Sequence, residues 1–257
     1  MSSLGKSLVY GVVDLVTVGQ GVPRRIGGET IRFPPRFCRY YEPDYEPETF
    51  AFLRKSCRKG DVVLDIGAHI GLFTVVMARL VGPEGRVFSF EPTPSTRAVL
   101  ERTVRLNQCD DRAEVRPEAV ARTSGRSEFF DTADIVSNAN SLVPTDRHRA
   151  GFTVDTVSVD DFLAARALPV SCLKIDVEGA ELDTLHGAER TLGSERPVVA
   201  LALHPAAIQR SGGNLRDVWR LLTSLRFQVR YRGRVVDEDW FCSRDGLFDV
   251  QCAPVEL

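Results

Sequence analysis

Apolar and polar positions along the chain change rhythm near residue 60. From Asp61 onward, short runs with few charges alternate with stretches of helical period. Val62-Val63-Leu64-Asp65-Ile66 reads as a strand, followed by a glycine turn and a helical run over 72–81. A second strand is predicted at 86–90, ending at Glu91-Pro92, with a helix over 95–107 behind it. Strands follow at 114–120, at 171–176 and, uncharged and therefore central, at 198–203. Helices are predicted over 180–192 and 215–225, and strands at 227–231 and 247–252 close the series. Short apolar strands alternating with helices predict an α/β protein, its mostly parallel sheet covered by helices on both faces.

Residues 1–60 have a different texture and predict an N-terminal cap on a main domain of 61–257. Residues 8–18 form an apolar stretch interrupted by Asp14 and preceded only by Lys6, which reads as an amphipathic helix. It falls short of the roughly 20 apolar residues that span a bilayer and lacks the plan of a secretory signal. Gly27-Gly28 between two short runs predicts a hairpin over 22–35. Residues 40–47 are aromatic, acidic and Pro-broken, an irregular connector, and 48–57 have helical spacing stopped by Gly60. A second break lies in 125–163, where strand-like 128–130 and 154–159 flank a polar stretch with Asn138, Asn140, Arg147, His148 and Arg149. An insertion of that kind, at about 131–152, predicts a lid or binding loop.

Composition narrows the functional classes. With 33 Lys plus Arg against 35 Asp plus Glu, the net charge of −2 excludes a polybasic nucleic-acid binder, so no nucleic-acid partner is expected. The six cysteines are scattered with no C-x-x-C pair, which predicts free thiols in a reducing, cytoplasmic setting and no zinc site.

Two motifs carry candidate chemistry. In Asp65-Ile66-Gly67-Ala68-His69-Ile70-Gly71 a strand ends in a glycine turn that opens a helix, where backbone N–H groups can approach a ligand. Glu91 ends the next strand about 20 residues further on, placed to accept hydrogen bonds from ribose hydroxyls. The turn lacks the G-x-G-x-x-G spacing of a dinucleotide site, and Asp65 before the first glycine would repel a pyrophosphate but welcome an amine. That favours S-adenosylmethionine over NAD. The second motif, Lys174-Ile175-Asp176-Val177-Glu178-Gly179-Ala180-Glu181, again ends a strand at a tight turn, and Glu181 reads equally as a helix-capping residue. Open α/β sheets bind ligands beyond the carboxyl ends of their strands. His204, directly after the strand at 198–203, belongs at that same edge and, with an ordinary pKa near neutrality, is a candidate base. Asp176 and Glu178 are the other base candidates, and their carboxylates could also hold Mg²⁺. His186 reads as a structural residue.

The runs D-I-G-A-x-I-G-L-F, F-x-F-E-P and L-K-I-D-V-E-G-A-E-L-x-x-L-x-G-A resemble the FkbM-type methyltransferases. Tyr45-Glu46-Pro47 and Gly60–Asp65 are similar to that family's entry segment, and residues 156–161 to its hairpin before the second motif. The resemblance spans about 40–205 and implies a Rossmann-like class I methyltransferase sheet with one antiparallel strand. It implies S-adenosylmethionine-dependent methylation, commonly of a hydroxyl on a sugar or natural-product small molecule. Carried over by position, Asp65, Gly67 and Gly71 would cradle the methionine part, Glu91 the ribose and Glu118-Ala119 the adenine. Asn107 matches the family's Asn after the second helix, Asp176 joins the cofactor set, and His69 stands where the family has Asn. The competing readings are an NAD(P)-dependent oxidoreductase, an N-methyltransferase and a cofactor-binding relative without turnover. Acceptor identity and oligomeric state are left open.

Overall fold

The computed structural model describes residues 19–132, 136, 140–144 and 150–255. The helix expected at 8–18 lies outside the described residues, as do Asn138, Arg147, His148 and Arg149 of the expected lid.

Strands β1 (Val22–Ile26) and β2 (Glu29–Phe33) pair antiparallel around Gly27-Gly28, the hairpin that the glycine pair predicts. After the connector, α1 (Pro47–Ser56) starts with Pro47 in its first turn and carries Glu48 early and Arg54 and Lys55 late, each charge suited to the helix dipole. The main chain of alternation then runs β3 (Val62–Ile66), α2 (Leu72–Val81), β4 (Arg86–Phe90), α3 (Pro94–Leu106) and β5 (Ala113–Arg116). Helix α2 is buried on almost every side, since it lies under the hairpin as well as on the sheet. Helix α3 buries only the stripe Thr96, Val99, Leu100, Thr103 and Val104.

The single strand expected over 114–120 is two strands. Pro117 has no N–H to give to a ladder, and the chain leaves the main sheet after β5. It re-enters as β6 (Ala119–Val120), which joins β7 (Gly125–Asp131) and β8 (Ala150–Val157) in a small sheet of order β6-β8-β7. Residues 156–161, expected as a hairpin, are the end of β8 and the start of α4 (Val159–Ala164), which Ser158 caps by accepting from the Asp161 N–H.

Strand β9 (Cys172–Ile175) leads to α5 (Glu181–His186) and α6 (Glu189–Ser194). The one helix expected over 180–192 breaks at Gly187-Ala188, where a Cβ on Gly187 would lie 2.2 Å from the Ala121 carbonyl oxygen. The chain continues through β10 (Val198–Leu203), α7 (Pro205–Arg210), α8 (Leu215–Ser224), β11 (Phe227–Tyr231), β12 (Arg234–Val235), α9 (Glu238–Cys242) and β13 (Phe248–Pro254). Helices α4, α7 and α9 were not expected; each is of six residues or fewer, too short for a helical period to show.

The main sheet has the order β12-β11-β13-β10-β9-β3-β4-β5. Strands β10, β9, β3, β4 and β5 are parallel, and β13 inserts antiparallel between β10 and β11, with the two-residue β12 added antiparallel at the edge. The pleat sends Leu64 and Ile66 into one core with Leu173, Leu201 and Leu203, and Val63 into the other with Val75, Met77 and Val87. All six cysteines are free, and among the described residues no helix is long and apolar enough to cross a membrane.

Candidate active site

The parallel strands end at a common edge, and a cavity of about 400 Å³ opens above it. Along that edge lie Glu91 after β4, Gly67 after β3, Asp176 after β9 and His204 after β10. Because β13 runs the opposite way, its second residue, Asp249, comes level with Ala202 and faces the same cavity. The N-terminal connector supplies one wall through Tyr40, Tyr41, Tyr45 and Glu46, and the small sheet supplies Ala119 and Phe129.

At the β3–β4 end the backbone is tightly constrained. Gly67 has φ 80°, and a Cβ on it would lie 1.8 Å from the Asp176 carbonyl oxygen, so glycine alone fits. His69, itself in the left-handed region at φ 51°, donates its N–H to Glu91 Oε2 at 3.1 Å, and the Thr93 N–H donates to Oε1 at 2.9 Å. Burial pushes the Glu91 carboxyl up to about 7 despite these hydrogen bonds. Burial also holds the His69 ring neutral, lowering its pKa to about 4. The buried Tyr41 hydroxyl lies 3.0 Å from His69 Nδ1, and with that hydroxyl donating, the proton is assigned to Nε2. Nε2 is buried and has no hydrogen-bond partner among the described residues.

Toward β10 the site is a chain of charges. Lys174 Nζ donates to the Gly67 carbonyl at 3.1 Å and to Asp176 Oδ2 at 3.3 Å, with Asp65 Oδ1 at 3.8 Å. Burial opposes both charges, but Asp176, Asp65 and Glu46 together raise the Lys174 pKa, and Lys174 and His204 lower that of Asp176. His204 Nδ1 is 2.6 Å from Glu181 Oε1, an oxygen that also accepts the Gly179 N–H, while Nε2 lies 3.4 Å from Glu178 and 3.9 Å from Asp176. Burial works against a charged ring here, yet the bonds to Glu178 and Glu181 lift His204 to about 10. The expectation of a histidine titrating near neutrality is therefore corrected: two carboxylates keep it protonated.

The structure does not bring every expected residue to the cavity. Gly67, His69, Glu91, Ala119, Asp176, Glu178 and His204 line it. Asp65 sits fully buried behind the wall, accepting from the Thr74 hydroxyl at 2.6 Å, and its pKa is raised by burial. Gly71 is the N-cap of α2 and packs toward Leu100. Asn107 caps α3 and spends its amide elsewhere, accepting from Arg32 N–H and Arg79 and donating to the Arg32 and Thr103 carbonyls. It ties the hairpin to the sheet domain instead of facing the cavity. Glu118 pairs with Arg116 outside it. His186 pairs with Glu189, away from the cavity. For Mg²⁺ the donor set is poor: among the described residues no group of three or more His, Cys, Asp or Glu is arranged to hold a metal ion, and the carboxylates already face Lys174 and His204.

Sequence reasoning missed the tyrosines, Lys174, the anchoring role of Glu181, and Asp249. The density of aromatics at 40–45 was a usable signal for the first; nothing local marks Asp249.

The Methyltransferase FkbM domain model matches residues 65–229. The chain is 27% identical over 203 residues to the hexuronic acid methyltransferase AglP of Haloferax volcanii, covering 77% of each. It is 32% identical over 164 residues to the 31-O-demethyl-FK506 methyltransferase FkbM of Streptomyces tacrolimicus, which covers 51% of this chain and 61% of that enzyme. Among solved structures, the methyltransferase FkbM of Methylobacillus flagellatus aligns with a TM-score of 0.50 at 17% identity, over 80% of this chain and 51% of that one. An S-adenosylmethionine-dependent O-methyltransferase of Thermotoga maritima aligns with a TM-score of 0.50 at 13% identity, over 95% of this chain and 82% of that one. At such identities the structural likeness speaks for the fold, a class I methyltransferase sheet.

Proposed function

This chain belongs to the FkbM methyltransferase family and is an S-adenosylmethionine-dependent methyltransferase, and from that premise we propose that it methylates a hydroxyl group of a small-molecule acceptor. The observation that carries the proposal is the anchored imidazolium–carboxylate pair on the cavity wall, His204 held at Nδ1 by Glu181 and facing Glu178 at Nε2.

The nucleoside end fits the cofactor. Gly67 leaves space where any side chain would collide, Glu91 keeps lone pairs for ribose hydroxyls, and the His69 Nε2–H is a buried donor in want of an acceptor. When bound, the cofactor supplies an electrophilic methyl group on a sulfonium. Asp65 and Asp176 hold the Lys174 ammonium at the joint between the two ends of the cavity.

At the acceptor end the residues have to place an oxygen and remove its proton. A hydroxyl oxygen that has gained a methyl group is an oxonium and strongly acidic, so a carboxylate is basic enough to take the proton late in the transfer. His204 is already protonated near neutral pH, so the open lone pairs of the pair are those of Glu178, and the proton goes there. Glu181 fixes the ring and His204 positions Glu178. No Mg²⁺ has a role in this reading. A net charge of −2 supports a small molecule over a polyanion, and six free thiols support a reducing compartment such as the cytoplasm.

The test is calorimetric titration with S-adenosylhomocysteine and, separately, NADH, followed by methyl transfer to a panel of alcohols with and without EDTA. S-adenosylhomocysteine alone is expected to bind, and turnover is expected to survive EDTA. Glu178→Gln is expected to lower kcat by about 10²–10⁴-fold with the S-adenosylhomocysteine affinity unchanged. Binding of NADH in place of S-adenosylhomocysteine, or undiminished turnover by Glu178→Gln, overturns the reading.

A further inference from the structure

Asp249 has no part in the proton transfer, yet of the lining acids on the sheet it is the one on the strand furthest from Glu91. The sheet order puts Glu91 and Asp249 four strands apart, about 19 Å at ordinary strand spacing. The ribose carboxylate and Asp249 therefore mark opposite ends of the site, with His204 and Asp176 between them.

Among the described residues nothing donates a hydrogen bond to the Asp249 carboxylate. Four charged groups face it: Glu46 from the α1 N-terminus, Asp176 from the end of β9, Lys174 on β9 and His204 after β10. Burial, then Glu46 and Asp176, push its pKa up to about 7, outweighing the two cations. Those cations are already engaged, Lys174 by Asp176 and Asp65, His204 by Glu181 and Glu178. Among the described residues no arginine lines the cavity. A half-buried carboxylate without a donor is what a site has when the ligand brings the donor. A ligand bringing a carboxylate there would meet Glu46, Glu178 and Asp249, and among the described residues no unpaired cation offsets them.

We propose that Asp249 is the acceptor-recognition residue of this methyltransferase, accepting a hydrogen bond from a second hydroxyl, or from an ammonium group, of a polyhydroxylated acceptor that carries no carboxylate. The proposal rests on the methyltransferase reading above. It sets this chain apart from its hexuronic acid methyltransferase relative, whose name gives an acidic acceptor.

The experiment uses the full chain loaded with S-adenosylhomocysteine and three probes: methyl α-D-glucopyranoside, the corresponding 2-amino-2-deoxy glycoside, and the corresponding glucuronide. Binding of each is measured for the parent protein and for Asp249→Asn, with Asp249→Ser as the second variant should the first fail to bind S-adenosylhomocysteine. The neutral and amino glycosides are expected to bind at least about tenfold more tightly than the glucuronide. The substitution is expected to weaken them about tenfold and to narrow the gap to the glucuronide, with S-adenosylhomocysteine affinity unchanged. A glucuronide that binds as well as the other two, a variant that binds all three like the parent, or a parent that binds none of the three while holding S-adenosylhomocysteine each overturns the proposal. A parent that does not bind S-adenosylhomocysteine strikes the methyltransferase reading itself, so the two failures are told apart.

Discussion

Glu91 and Asp249 are half-enclosed or buried acids toward opposite ends of one cavity, and burial raises both to a pKa of about 7, but they are held in opposite ways. Glu91 is clamped by two backbone N–H groups from its own turn and its neighbour's, so its oxygens are aimed before any ligand arrives. Asp249 has no donor among the described residues and faces two acids and two cations that are already paired. One end of the cavity is built in advance by the backbone, and the other leaves its polar group for the ligand to satisfy. A cofactor shared by many enzymes suits a rigid cradle, whereas an acceptor is recognised by side chains that can change without rebuilding the fold.

The comparison breaks most completely at Gly67. Gly67→Ala forces a Cβ against the Asp176 carbonyl at a backbone angle that side chains avoid, and is expected to cost about 3 kcal/mol or more of stability and to abolish S-adenosylhomocysteine binding. Urea unfolding together with titration checks it, and a variant that binds normally would mean that the two loops can part without loss.

A smaller effect sharpens the role of Glu91. The ionised carboxylate accepts two hydroxyl donors, whereas the protonated one has given up part of that capacity. With its pKa raised to about 7, affinity for S-adenosylhomocysteine is expected to strengthen about tenfold between pH 6 and pH 8, and Glu91→Gln is expected to flatten that dependence. A pH dependence that persists in the variant would move the titrating group elsewhere.

The smallest expected effect separates site from scaffold. Asn107→Ala removes the tie between β2 and α3 and is expected to lower stability by about 1 kcal/mol while leaving S-adenosylhomocysteine affinity as it was. A loss of affinity larger than the loss of stability would return Asn107 to the cofactor site.

Much of this architecture was legible without coordinates, for a physical reason. A buried parallel strand is an uninterrupted apolar run, a glycine turn follows it, and period and turn chemistry are properties of neighbouring residues. The runs at 62–66, 86–90 and 198–203, the hairpin at Gly27-Gly28, and the residues Gly67, Glu91, Asp176 and His204 were all read in that way. What neighbouring residues do not encode is which distant groups meet. Pro117 splitting one strand between two sheets, and Gly187 breaking a helix against Ala121, depend on contacts made far along the chain. The protonated state of His204 depends on Glu181 and Glu178, more than 20 residues away in sequence. Asn107 entered the expected cofactor set through its match to the family's Asn after the second helix, and the packing ties its side chain to the hairpin. Asp249 is the clearest case. It begins a strand near the end of the chain, and it reaches the cavity solely because that strand runs against its neighbours, a direction that the local sequence of β13 does not carry.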